Sequence, residues 1–149
     1  MMNMNRLLLG VTAFFMIANV LAAQNDNKIS LKESRKEVVK RYIMDLQKAD
    51  YKDIAQLFEP NGIVISTSRG KANAKEFFYA FLPNVTSANT DPHQYYIGDT
   101  DANRIATRFH FSFKLKEGEE GNGEYVDEFV FSNNDTKLSA VYMFENLRF

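Results

Sequence analysis

Asp127 stands in the run Glu124-Tyr125-Val126-Asp127-Glu128-Phe129-Val130-Phe131. Side chains alternate across a strand, so Tyr125, Asp127, Phe129 and Phe131 share one face, and Asp127 is the one carboxylate on an otherwise aromatic side. Burying it charged and unpaired would cost several kcal/mol. Asp127 therefore either meets a donor or keeps its proton. As a neutral acid it donates a hydrogen bond to a ligand oxygen; ionised, with a donor lowering its pKa, it takes a proton. Few other groups compete for such work. His93 and His110 are the two histidines and there is no cysteine, which excludes disulfides and thiol catalysis and leaves little for a transition-metal site. Asp99-Thr100-Asp101-Ala102-Asn103 imitates the start of a calcium loop, but Arg104 stands where the turn glycine is needed and His110 where the closing glutamate belongs. No metal and no cofactor is expected, and no phosphate loop, nucleophile elbow or metalloprotease motif is present.

The elements that must position Asp127 follow from periodicity. Ser30-Leu31-Lys32-Glu33 has capping-box spacing. Val39, Tyr42, Ile43 and Leu46 then recur at i, i+3, i+4 and i+7, which predicts a helix from Leu31 to Lys48 with Tyr42 on its buried stripe. Asp50 caps a shorter helix burying Tyr51, Ile54, Leu57 and Phe58, stopped by Pro60-Asn61-Gly62. Gly62 to Thr67 is apolar and β-branched and reads as a strand. After a Ser-Arg-Gly-Lys turn, Ala74, Phe77, Phe78, Phe81 and Leu82 mark a third helix, ended by Pro83. Asn84 to Asp91 reads as an irregular connection. Strands are predicted at His93–Ile97, Arg104–Lys116, Glu124–Phe131 and Lys137–Phe149. The turns between them are Gly98–Asn103, Glu117–Gly123 and Asn133-Asn134-Asp135. In the second of these strands Ile105, Thr107, Phe109, Phe111, Phe113 and Leu115 share one face, with His110 on the other. Helices followed by a mainly antiparallel sheet make an α+β class.

The first 23 residues differ from the rest. Arg6 is followed by the uncharged stretch Leu7–Val20 and by Val20-Leu21-Ala22-Ala23 before polar Gln24-Asn25-Asp26. This reads as a signal peptide cut after Ala22 or Ala23; Leu7–Ala23 is at the short edge of what spans a bilayer. The expected organisation is a signal peptide at 1–23, a linker at 24–29 and one domain at 30–149, exported to the periplasm or secreted, with no membrane contact after cleavage. Losing Arg6 takes the formal net charge from −1 to −2, so neither sign dominates and nucleic acid is not an expected partner. Asn84-Val85-Thr86 and Asn134-Asp135-Thr136 match the glycosylation pattern, which matters only in a eukaryotic secretory route.

Four stretches, in their order and spacing, carry a resemblance: Val38-Val39-Lys40-Arg41-Tyr42, Ala55-Gln56-Leu57-Phe58, Gly70 to Phe78, and Val126 to Phe131. The chain resembles the nuclear-transport-factor-2-like (NTF2-like) superfamily, in its SnoaL-like and ketosteroid-isomerase-like branches, over nearly all of residues 30–149. The resemblance implies a cone in which a strongly curved sheet wraps three helices. In the steroid isomerases a helix 1 tyrosine and a protonated aspartate form an oxyanion hole and a first-strand aspartate moves the proton; the protonated aspartate is a known example of an acid kept neutral by an apolar site. By position these would be Tyr42 and Asp127, while the base's place falls at or beside Ser66, and a neutral serine cannot take a proton from carbon unaided. Tyr42 and Asp127 are thus either an oxyanion hole or a structural hydrogen bond. His93 is a second candidate for proton handling by resemblance.

The resemblance implies a cavity whose ligand contacts are Tyr42, Phe58, Ser66, Phe78, Phe113, Asp127 and Phe129, and a homodimer through the outer sheet face near Val126, Val130 and His110. The expected function is binding of a small, mostly apolar ligand without steroid-isomerase chemistry. The alternatives are an isomerase, cyclase or hydratase using Asp127 or His93 as acid or base, and an interaction module whose cavity is filled by its own phenylalanines.

Overall fold

The computed structural model describes residues 31–98 and 101–146. The expected signal peptide, the linker, Ser30 of the capping box, Asp99 and Thr100 of the calcium-like turn and the last three residues lie outside the described residues.

Helix α1 spans 31–48, and its stripe is as the spacing predicts: Val39, Tyr42, Ile43 and Leu46 are all buried. Arg35 and Asp45 lie on the same side and are buried too. Asp50 then caps α2 (Tyr51–Gln56), its side chain accepting from the Asp53 amide at 3.0 Å. Helix α3 (Ala74–Phe81) is capped by Asn73, which accepts from the Glu76 amide, and passes into a 3-10 turn at Leu82–Asn84 where Pro83 forbids further α-helix.

Among the described residues six strands form one curved, unclosed sheet in the order β2-β1-β6-β5-β4-β3. They are β1 (Phe58–Ser66), β2 (Gly70–Asn73), β3 (Val85–Ile97), β4 (Arg104–Leu115), β5 (Glu120–Phe131) and β6 (Leu138–Asn146). Every neighbouring pair is antiparallel except β1 and β6, which run parallel. The α+β class holds, with three α-helices among the described residues and a mixed, mainly antiparallel sheet.

Four local expectations are corrected. Pro60-Asn61-Gly62 does not precede the first strand but lies within β1, where the register with β6 shifts between Phe58 and Ile63. Gly70 takes a positive φ of 73° and starts β2, a strand too short and too polar to show periodicity. Asn84 to Asp91 is not a connection: from Val85 it is the first half of β3, whose polar side chains are tolerated because an edge strand needs backbone partners on one side only. The β4–β5 loop is shorter than Glu117–Gly123, since β5 begins at Glu120 and its glycines pair with phenylalanines, Phe113 with Gly121 and Phe111 with Gly123.

The concave face carries Ile105, Thr107, Phe109 and Phe111 of β4, Asp127, Phe129 and Phe131 of β5, and Val141 and Met143 of β6, all buried. Tyr42 enters this layer from α1 edge-on to Phe129, at 4.9 Å between ring centres, and to Phe78, at 5.9 Å. Arg35 secures the far end of the helix. It is 2% exposed and donates to the carbonyls of Ala102, Ser132 and Asp135 and to Asn103 Oδ1 at 2.7–2.9 Å, with its guanidinium over the Phe131 ring. One side chain thus fastens the helix to the β3–β4 and β5–β6 turns. No helix among the described residues is long and apolar enough to cross a membrane.

Candidate functional site

Between α1, α3 and the concave face lies a cavity of about 390 Å³, within the range that small-molecule sites occupy. Phe77, Phe78 and Phe81 of α3 and Phe109, Phe111 and Phe113 of β4 supply most of its apolar wall. The phenylalanines line the space rather than fill it. Phe113 stands aside because it lies over Gly121 on the neighbouring strand, where any Cβ would run into the ring.

The inner polar pole is Tyr42 and Asp127. The Tyr42 hydroxyl donates to Asp127 Oδ2 at 3.1 Å. Asp127 is 1% exposed, and its Oδ1 has no hydrogen-bond partner among the described residues. Burial pushes the Asp127 carboxyl up to about 8, against a lowering by the Tyr42 hydroxyl and with a further rise from Glu145. The same burial, together with the neighbouring carboxylate, holds the Tyr42 hydroxyl well above its usual range. Both groups are therefore neutral at pH 7. Since Tyr42 spends its proton on Oδ2, the acid proton belongs on Oδ1, and Asp127 is a residue of the cavity wall. The pair presents one donor, not two converging ones.

The second polar pole is at the rim. Ser66 ends β1 on the concave side and is buried, while Ser68 and Arg69 form the exposed turn after it. Ser66 Oγ and Ser68 Oγ both donate to Glu145 Oε1, at 3.0 and 2.9 Å. Ser66 Oγ in turn accepts from the Ser68 and Arg69 amides, at 3.3 Å each. Arg69 lies over the Phe81 ring at 5.2 Å. Nothing in the spacing of Ser66 points to Glu145. The available signal was that Glu145 continues the inward alternation Val141, Met143, the same kind of break that marks Asp127.

The structure brings Tyr42, Ser66, Phe78, Phe113 and Asp127 together on the cavity wall. Phe58 and Phe129 are not on it. Both are buried one layer back, Phe58 behind Phe78 at 5.7 Å and Phe129 behind Tyr42. His93 is also away from the cavity: the register of β3 shifts between Pro92 and Gln94, and His93 Nε2 lies 3.4 Å from Glu124 Oε1. His110 Nδ1 approaches the same oxygen at 3.1 Å, so the two histidines share one carboxylate on the convex side, and they hold the Glu124 carboxyl below its usual range. Among the described residues no cluster of three His, Asp or Glu is placed to hold a metal.

No family model matches the sequence, and no curated protein matches it. The fold has many likenesses among solved structures. The epoxide hydrolase/cyclase-like enzyme SalBIII, described as acting in pyran ring formation in the polyether salinomycin, is 18% identical, covering 77% of this chain and 92% of its own, with a TM-score of 0.64. An NTF2-like protein from Burkholderia pseudomallei is 10% identical over 76% of this chain and 91% of its own, at a TM-score of 0.59. A protein of ketosteroid-isomerase-like fold from Catenulispora acidiphila is 7% identical over 72% and 84%, at 0.60. With the strand order and helix placement described above, these likenesses establish that the described residues adopt the NTF2-like fold, shared with SnoaL-like and ketosteroid-isomerase-like proteins.

Proposed function

We propose that the protein binds a small, mostly apolar molecule carrying one carbonyl or hydroxyl oxygen, with that oxygen accepting from Asp127. The observation that carries this reading is the buried, partnerless Oδ1 of Asp127, a residue that lines an aromatic cavity. A buried acid whose only role was to hold α1 to the sheet would be complete with the Tyr42 bond; the second oxygen is left over, and a buried polar atom without a partner is an uncommon feature that calls for one. The aromatic walls supply area, and the acid fixes orientation.

A thermal-shift panel of steroids, polyketides, fatty acids and aromatic acids tests it, since a ligand at 100 times its dissociation constant adds about 2.7 kcal/mol of stability. Titration calorimetry on the hits should show Asp127→Asn keeping affinity within about tenfold, because the amide still donates, and Asp127→Leu losing it. A panel with no shift, or hits indifferent to Asp127→Leu, would sink the reading.

Export and homodimerisation are proposed with it. The uncharged Leu7–Val20 stretch and its alanine-rich end support export. Half-exposed Phe144 beside Val126 on the convex face supports pairing through that face. N-terminal sequencing of the protein from culture and light scattering on the purified protein check the two.

A further inference from the structure

We propose that the molecule bound in the cavity is an amine carried as its cation, with the ammonium seated at the rim beside Glu145 and the acceptor oxygen at the other end of an apolar body. This rests on the reading that Asp127 holds the ligand oxygen, and it adds the charge of the opposite end.

The two polar poles offer opposite things. Asp127 keeps its proton and donates; Glu145 accepts. Glu145 is half-buried on the cavity wall. Ser66 Oγ and Ser68 Oγ both donate to its Oε1, and its Oε2 is engaged by no hydrogen bond or ion pair among the described residues. Ser66 Oγ is itself fixed by the two turn amides that donate to it, which leaves its own proton for Glu145. A carboxylate held through one oxygen keeps the lone pairs of the other for an incoming donor. Its side-chain freedom is already spent, so little ordering cost falls on binding.

The sign of the local field decides between a cation and an anion at this end. Arg69 is the one basic residue of the wall among the described residues, against Glu119, Glu120 and Glu145. Lys114 matches Glu120 at 2.9 Å; no ion pair among the described residues matches Glu119 or Glu145. Arg69 is the competing anchor, for a ligand carboxylate, since its guanidinium rests on the Phe81 ring at 5.2 Å and on no acid. Glu145 outweighs it where the ligand would lie. The half-buried Tyr125 hydroxyl on the wall is pushed up to about 12, first by burial, then by Glu145 and by Asp127, with Arg69 the smallest influence and the one that opposes. Asp127 is raised by Glu145 as well. Both shifts mean that negative charge is disfavoured along this wall. A ligand carboxylate meets the same penalty as a Tyr125 phenolate, and an ammonium meets the reverse. Partial burial keeps salt from screening the difference away.

The test is titration calorimetry at pH 7 with three ketones of one body: 4-ethylacetophenone, which is neutral, 4-(aminomethyl)acetophenone, which is a cation, and (4-acetylphenyl)acetic acid, which is an anion. The amine is expected to bind about tenfold or more tighter than the neutral ketone, the size of a hydrogen bond to a charged group, and the acid more weakly than either. Glu145→Gln should remove the preference for the amine, while the neutral ketone, which offers Glu145 nothing, changes less than threefold and so reports that the cavity is intact. Arg69→Ala should leave the amine the tightest of the three. Equal binding of the three, an acid that binds best and loses its affinity in Arg69→Ala, or an amine preference that survives Glu145→Gln overturns the proposal; the binding reading then stands as long as the neutral ketone binds and loses affinity in Asp127→Leu. Failure of all three to bind, or binding indifferent to Asp127→Leu, overturns both.

Discussion

Tyr42 and Asp127 are 85 positions apart in the chain and 3.1 Å apart in space, and the bond between them is fully buried. It ties α1 to β5 and also sets which oxygen of the acid is left without a partner. Tyr42→Phe should cost about 1–3 kcal/mol in urea denaturation, because Oδ2 is left without a donor while remaining buried. The same variant removes the one influence that lowers the Asp127 pKa, so the carboxyl should titrate higher than about 8 when followed by carbon-13 NMR.

Stability should fall as pH rises from about 4 to about 8. Two buried carboxyls are pushed up from 3.8: Asp127 to about 8, by burial, and Asp45 to about 7, by burial and by neighbouring Asp53 and Asp50 against Arg41. Each binds its proton more tightly folded than unfolded, so its contribution is fully present below the unfolded value and is lost as pH climbs through the folded one. The slope is at most about 1.4 kcal/mol per pH unit for each group. Asp53, lowered by Arg41, contributes the opposite, acid-side limb. Calorimetric melting across this range should show the decline, and Asp127→Asn should flatten its upper half.

Arg35→Met should destabilise by about 3 kcal/mol or more, since three carbonyls and Asn103 Oδ1 lose their donor in a buried setting. Arg35→Lys should rescue little, because one ammonium cannot reproduce a planar fork that serves four acceptors. Amide hydrogen exchange should rise first at residues 101–103 and 132–136, the two turns the guanidinium joins.

Gly121→Ala should displace the Phe113 ring into the cavity. Binding of any ligand that fills the cavity should weaken about tenfold or more, with a smaller change in melting temperature than Arg35→Met gives, because the ring has free space to move into. A crystal structure of the variant would show the altered Phe113 rotamer.

Much of this was legible in the sequence, and for a physical reason: long amphipathic segments announce themselves. Val39, Tyr42, Ile43 and Leu46 repeat with helical period, and the alternation from Ile105 to Phe113 marks a face, so α1, β4 and the inward turn of Asp127 follow from spacing alone. What spacing does not show is which residues meet across the fold. Glu145 joins Ser66 only through the parallel β1–β6 pairing, a contact with no local signature. Arg35 stands four residues before Val39 and seven before Tyr42, on the buried stripe, but a single charge at such a position reads equally well as a helix end reaching for solvent. His93 has no spacing signal of its own, and one register shift beside Pro92 turns it outward. Val85 to Asp91 looked like a loop because edge strands are held by backbone bonds, and those leave no trace in side-chain polarity.

The last strand described, β6, is not at the margin of the sheet but between β1 and β5. Until residues 138–146 dock, the β1–β2 hairpin and the β3–β5 meander are separate pieces, each with an open edge and an uncovered apolar face. Such pairing over long sequence separation is slow to form. The protein is accordingly a keystone arch in time as well as in space: Glu145 reaches Ser66 only as the arch closes, so the cavity should form in one step at the end of folding, and a chain interrupted before β6 should expose β1 and β5 as sticky edges.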